Sequence, residues 1–126
     1  MKVINGIIFE KGKVLLVKKK DKWILPGGKL ENELYFHCLE REFSEELSET
    51  KIDVGEFYDT FSGITPFSKK YFEADVYFCT LLSDLGKPSQ EILDRKYFGK
   101  EDIKEIELSK VTRDIFNRLV KEGYVK

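Results

Sequence analysis

The chain has 126 residues, with 22 Lys and Arg against 23 Asp and Glu and a net charge of −1. That length suits one domain that buries a core without staples, and the balanced charge excludes a general pull toward nucleic acid or an anionic membrane. The two cysteines, Cys38 and Cys79, have no metal-type spacing and sit in apolar surroundings, so they read as buried thiols of a reducing compartment.

The opening stretch MKVINGIIFEKGK returns to charge after a few apolar residues. It is too short for a signal peptide or a membrane span, and the expected location is cytoplasmic. VINGIIFEKGKVLLVKKK reads as two apolar strands around a turn at Lys11-Gly12. A charged loop, KKKDK, leads to WILPGG, a short strand stopped by Pro26 and two glycines.

From Glu33 to Leu47 the period changes. Phe36, Leu39, Phe43 and Leu47 recur at steps of three and four, which predicts a helix with one apolar stripe. DVGEFYDTFSGI and KKYFEADVYFCTLL return to aromatic and β-branched strand composition. SDLGKPSQE is a loop, and a short helical turn is expected at Lys100–Lys104. The segment LSKVTRDIFNRLVKEGYV predicts a second helix. Ser109 is its N-cap, Val111, Ile115, Phe116 and Leu119 its buried stripe, and Gly123 the residue that ends it. No repeat, low-complexity tract or linker divides residues 1–126. The order strand, strand, strand, helix, strand, strand, loop, helix predicts an α+β domain whose mixed sheet is covered by at least two helices.

The first helix carries an unusual charge pattern. Between Glu31 and Glu49 there are seven glutamates and one arginine, Arg41. At about 100° per residue, Glu42, Glu45, Glu46 and Glu49 project within an arc of about 100°, beside the apolar stripe. Carboxylates at that rim are partly desolvated, and like charges one turn apart repel. One arginine does not neutralise them; a divalent cation does. Several hard oxygen donors suit Mg²⁺ or Mn²⁺, and the scarcity of His and Cys disfavours zinc. On spacing alone a solvated acidic face is an equally good reading.

The upstream context separates the two. GGKLENELYFHCLEREFSEELSE, residues 27–49, resembles the box of the Nudix hydrolases. Gly27, then five residues, Glu33, then seven residues, then Arg41-Glu42-Phe43-Ser44-Glu45-Glu46 keep the family's spacing, and WILPGG is similar to its usual lead-in. Two departures stand out. Counted from Gly28, the turn is one residue shorter than usual. Ser48 and Glu49 stand where the family has a glycine and an apolar residue. Without that glycine the helix is expected to run on to about Thr50, with Ile52 taking the apolar place.

The resemblance implies an α/β/α sandwich and Mg²⁺-dependent hydrolysis (Mn²⁺ serving as well) of a nucleoside diphosphate linked to another group. By matching position it implies Glu42, Glu45 and Glu46 as metal ligands. One of Glu45 or Glu46 would also take the proton of the attacking water. The Gly28 carbonyl would be a further ligand, or that of Gly27 if the short turn changes register. Arg41 would orient the carboxylates, Glu33 would support the helix start, and Glu31 would hold the loop. Glu91 is a candidate base or extra ligand from outside the box, with a solvated loop residue as its plain alternative.

Lys18, Lys19 and Lys20 are candidates for substrate phosphates. Phe57, Tyr58, Phe61, Phe67, Tyr71 and Phe72 include any base-stacking platform, although most are expected in the core. Trp23 is expected to pack. Pro66 resembles a mark of the ADP-ribose-cleaving subgroup. The expected partner is a nucleotide-type small molecule, neither membrane nor nucleic acid, and the sequence leaves the oligomeric state open. The alternative reading is a Nudix-fold binding or regulatory module without turnover. A mere acidic-helix interaction protein does not explain WILPGG. Damaged nucleoside triphosphates, ADP-ribose, sugar nucleotides and dinucleoside polyphosphates all remain open as substrates.

Overall fold

Strand β3 (Lys13–Lys19) organises the molecule because both of its faces are apolar. Val14 and Leu16 face a cluster that holds Ile115, Phe116 and Leu119, whereas Leu15 and Val17 face one that holds Leu39, Phe43 and Leu47. A strand with four consecutive buried residues must be covered on both sides. Helix α1 (Tyr35–Glu46) covers one side and α2 (Lys110–Lys121) the other. The result is the expected α/β/α sandwich. This computed structural model describes residues 1–65 and 68–126; Pro66 and Phe67, both named above, lie outside the described residues.

Two sheets form the middle layer. In the first, β1 (Lys2–Ile7) runs parallel to β7 (Tyr71–Leu81) and antiparallel to β5 (Gly27–Lys29), and β6 (Ile52–Ile64) lies outside β7. In the second, β8 (Ile92–Phe98) takes one edge of β3, and β2 (Phe9–Glu10) and β4 (Lys22–Ile24) share the other, all antiparallel. The turn at Lys11-Gly12 has φ of 51° and 78°. Two successive left-handed residues make the tight hairpin turn that glycine favours.

Three expectations change. The first apolar stretch is not one strand: β1 and β2 belong to different sheets, with Ile8 between them. Strand β8 was not anticipated. Its middle is charged and at most half-buried, and only Ile92 and Phe98 at its ends are buried, so it shows no apolar alternation. Helix α1 does not run on to Thr50 but stops at Glu46. Ser48 and Glu49 enter the left-handed region, at φ 21° and 62°, although neither is glycine.

The segment between β7 and β8 holds that helix end. Ser89 N–H donates to the Glu46 carbonyl at 2.8 Å, and Gly86 N–H to Thr50 Oγ1 at 2.7 Å. A side chain at Gly86 would stand 2.2 Å from the Leu47 carbonyl, so only glycine permits this approach. Ile52 is buried as expected, but as the first residue of β6.

The second helix follows its sequence closely. Ser109 caps it by accepting from Thr112 N–H at 3.3 Å, and Gly123 ends it at φ 86°. Trp23 packs edge-on against Phe98 at 4.8 Å. Both cysteines are free, and burial pushes each thiol up to about 12, far from thiolate reactivity. Among the described residues no helix is long and apolar enough to cross a membrane.

Candidate active site

The stripe Leu39–Phe43–Leu47 anchors α1 on the sheet and so fixes where its glutamates point. Glu46, next to the stripe, is buried and only 9% exposed. Glu42 is half-buried and Glu45 exposed, one turn apart along the same edge, while Glu40 and Glu49 face solvent.

Strand β5 brings the two glycines against this edge. Gly27 N–H donates to Glu46 Oε1 at 3.1 Å. A Cβ at Gly28 would lie 2.5 Å from Glu42 Cδ, so the missing side chain is what admits the Glu42 carboxylate. Gly28 pairs with Ile4. The flanking bonds, Gly6 N–H to Pro26 O and Leu30 N–H to Lys2 O, set the alternation that commits the Gly28 carbonyl to β1. That carbonyl also accepts from Cys38 Sγ at 3.8 Å.

Arg41 gathers the charges. Its Nε and Nη2 meet both oxygens of Glu33, at 3.1 and 2.6 Å, in a two-pronged pair. Its Nη1 donates to Glu42 Oε1 at 2.8 Å and to Glu45 Oε2 at 3.4 Å. The hydrogen bonds from Arg41 hold the Glu33 carboxyl below its ordinary value, and those to Glu33 and Glu42 raise the guanidinium. Glu42 and Glu46 behave oppositely. Burial raises the Glu42 carboxyl despite Arg41. It pushes Glu46 up to about 8, and the Gly27 N–H offsets only part of that.

Gly27, Gly28, Arg41, Glu42, Glu45 and Glu46 line a cleft of about 330 Å³, with Glu33 behind Arg41 and outside the lining. Glu31, Lys19, Lys29, Gln90 and Glu91 complete its walls. Glu91 therefore does come to the cleft, where its carboxylate pairs with Lys19 Nζ at 3.2 Å. Of the three lysines singled out, Lys19 reaches the cleft; Lys18 lies within the β3–β4 pairing and Lys20 turns the chain at φ 55°. None of the described candidate aromatics lines it. Tyr58, Phe61 and Phe72 pack against the core, Phe57 meets Tyr77 at 5.4 Å, and Tyr71 is exposed. Lys29 and Gln90 were not singled out. Lys29 directly follows the two glycines, a signal that adjacency alone offered.

An oxygen-only donor set suits a hard divalent cation. Among the described residues no three acidic, His or Cys side chains converge closely enough to hold one, and Glu42 and Glu45 each give an oxygen to Arg41. Glu42, Glu45 and Glu46 along one helix edge, with Glu46 buried and, among the described residues, in no ion pair, still offer the oxygen donors that fit such an ion.

Comparison with known proteins gives the same picture. The NUDIX domain profile matches residues 2–119. No curated protein matches the chain in sequence. Among solved structures, a MutT protein from Methanosarcina mazei Go1 is 26% identical with a TM-score of 0.78, over 96% of this chain and 93% of that one. A MutT NUDIX hydrolase from Burkholderia pseudomallei is 23% identical with a TM-score of 0.78, over 94% and 96%. A UDP-X diphosphatase is 24% identical with a TM-score of 0.80 over 98% of this chain, which spans 62% of that longer protein. With the box glutamates gathered on one cleft wall and the profile running along nearly all of its length, the chain belongs to the NUDIX family.

Proposed function

We propose that the protein hydrolyses the pyrophosphate bond of a nucleoside diphosphate linked to another group, by attack of water on phosphorus, with Mg²⁺ or Mn²⁺ as cofactor. One observation carries this reading: Glu42, Glu45 and Glu46 line the same cleft as Gly27, Gly28 and Arg41, in the family's spacing. The UDP-X diphosphatase, and an ADP-ribose pyrophosphatase from Streptococcus suis that is 20% identical, agree with this substrate class.

Glu42, Glu45 and Glu46 are the side chains that would hold the ion. The ladder turns the Gly28 carbonyl to β1. That favours Gly27 over Gly28 as the further oxygen ligand. When bound, the cation would screen the phosphates, polarise the P–O bond and acidify water. Arg41, locked on Glu33, positions Glu42 and Glu45 for this work. Glu45 or Glu46 accepts the water's proton, and Glu91, from outside the box, assists as base or ligand. Lys19 and Lys29 offer positive charge to the substrate phosphates.

The decisive experiment is a panel of nucleotides with Mg²⁺, read out as released nucleoside monophosphate. Turnover of at least one substrate is expected, and Glu45→Gln lowers it by about 100-fold or more with the fold intact. Survival of activity within a few-fold would remove Glu45 from the site. The engagement of Glu42 and Glu45 by Arg41 favours a second reading, a nucleotide-binding module without turnover. Bound nucleotide with no product from any substrate would establish that reading instead.

A further inference from the structure

Gly86 has both of its backbone groups held, one from each side. Its N–H donates to Thr50 Oγ1 at 2.7 Å, and its carbonyl accepts from Arg95 Nε. Arg95 Nη2 donates to the preceding carbonyl, that of Leu85, at 3.2 Å, so the planar guanidinium forks across two successive peptides. Among the described residues that guanidinium pairs with no carboxylate; its donors go to these carbonyls. Arg95 shares its face of β8 with Tyr97, which packs on the α1 side of the core, and this is what brings it to the segment. Thr50 is only 1% exposed and gives its own hydroxyl proton to the Leu47 carbonyl at the end of α1. A continuous path of hydrogen bonds therefore runs from α1 through Thr50 and Gly86 to Arg95 on β8.

Resting on the hydrolase reading above, we propose that Thr50 and Arg95 are positioning residues, which clasp Gly86 between α1 and β8 and so set where Glu91 stands over the cleft. Neither lines the cleft itself. Just past Gly86, Ser89 N–H donates to the Glu46 carbonyl at 2.8 Å, and Ile92 N–H returns to the Ser89 carbonyl at 3.1 Å. Between them stands the two-residue turn Gln90-Glu91, with Gln90 at φ 58°. The register of β3 and β8 slips between Lys18 and Lys19, which sets Lys19 opposite Ile92 and beside the turn. The Glu91 side chain is 72% exposed and its one ion pair is with Lys19. A solvated pair of that kind does not fix a carboxylate by itself. The place of Glu91 therefore depends on the backbone that carries it, and the clasp holds that backbone. Helix α1 carries Glu45 and Glu46, and the clasped segment leads into Glu91. The clasp thus sets the distance between the box carboxylates and the one outside the box. Displacing a reacting group by about 1 Å costs about a hundredfold in rate, so such a distance matters.

The first half of the test needs neither metal nor turnover. Amide hydrogen exchange is followed by NMR in EDTA. Arg95→Met and Thr50→Val should each speed exchange at Ser89 and Ile92 by about tenfold or more, while the amides of β1 and α2 stay protected. Thr50→Ser keeps the hydroxyl and should restore native protection. The second half reads kcat and KM on the fastest-hydrolysed member of the nucleotide panel. Arg95→Met should lower kcat by about tenfold and leave KM within about twofold. In a Glu91→Gln background the same change should cost less than about twofold, because the group it positions is already gone. Where Thr50→Val does not fold, Arg95→Met carries both halves. Unchanged exchange at Ser89 and Ile92 would overturn the proposal. In an active hydrolase, equal losses of kcat in the two backgrounds would mark a merely structural role and sink this proposal alone. A protein that shows the exchange changes yet hydrolyses nothing sinks the hydrolase reading and keeps the clasp.

Discussion

The two helices have the same length, twelve residues, and follow opposite rules. Helix α2 has a Ser109 cap, Arg118 and Lys121 in its last turn, and Gly123 in the left-handed position that follows it. Each of these satisfies an unpaired backbone group or complements the helix dipole. Helix α1 has none of them. Leu34 makes no side-chain cap, no basic residue stands in the last turn, and Ser48 and Glu49 take left-handed angles without being glycine. It also buries Glu46 and half-buries Glu42 beside one another's charge. One helix is built to be stable, and the other, which lines the proposed site, is held in place by its surroundings. Local rules are broken where a site needs them broken.

The sharpest way to probe that contrast is the buried Glu46. Its folded pKa, about 8, lies above the ordinary 4.5, so between those values the folded state holds more protons than the unfolded one. The contribution of Glu46 to the stability of the metal-free protein therefore falls as pH rises from about 4.5 to 8. Glu46→Gln keeps the acceptor for Gly27 N–H and removes the charge. Urea melts in EDTA should show the variant on the order of 4 kcal/mol more stable at pH 8 and matching the native protein near pH 4. A native protein whose stability rises over that window would contradict a desolvated Glu46.

Next come the adjacent glycines of β5, which divide structure from function. At Gly27 a Cβ would lie 2.0 Å from the Ile4 carbonyl, in backbone at φ 140°. Gly27→Ala should cost about 3 kcal/mol of stability. At Gly28 the obstacle is the tip of the Glu42 side chain, which can swing aside. Gly28→Ala should leave the melting temperature nearly unchanged and lower turnover about ten- to a hundredfold. Equal loss of stability in both variants would refute the division.

The smallest effects lie at the helix ends. Ser48→Gly and Glu49→Gly should each gain up to about 1 kcal/mol, and Gly123→Ala should lose about as much, because only the left-handed backbone is at issue. Among the described residues no heavy atom lies within 4 Å of a Cβ at Gly123, so packing does not confuse that comparison. Thermal melts resolve all three.

What the sequence revealed follows the same division. The 3.6-residue stripe and the caps made α2 legible to the residue, and the glutamate arc placed α1 and its cleft. Strand β8 escaped because only its ends are buried. The division of β1 and β2 between two sheets escaped because it turns on a single residue, Ile8. The stop of α1 at Glu46 escaped because its cause, Gly86 packed on the Leu47 carbonyl, lies forty residues away in contacts no local pattern encodes.

On the proposed reading, Glu42, Glu45 and Glu46 grip one divalent cation, with Arg41 positioning Glu42 and Glu45. Titration with Mn²⁺, followed by electron paramagnetic resonance without substrate, tests it most directly. The native protein should bind the ion, and Glu45→Gln and Glu46→Gln should each weaken binding by about tenfold or more. A native protein that leaves Mn²⁺ free in solution, or variants that bind it as tightly as the native chain, would contradict the account.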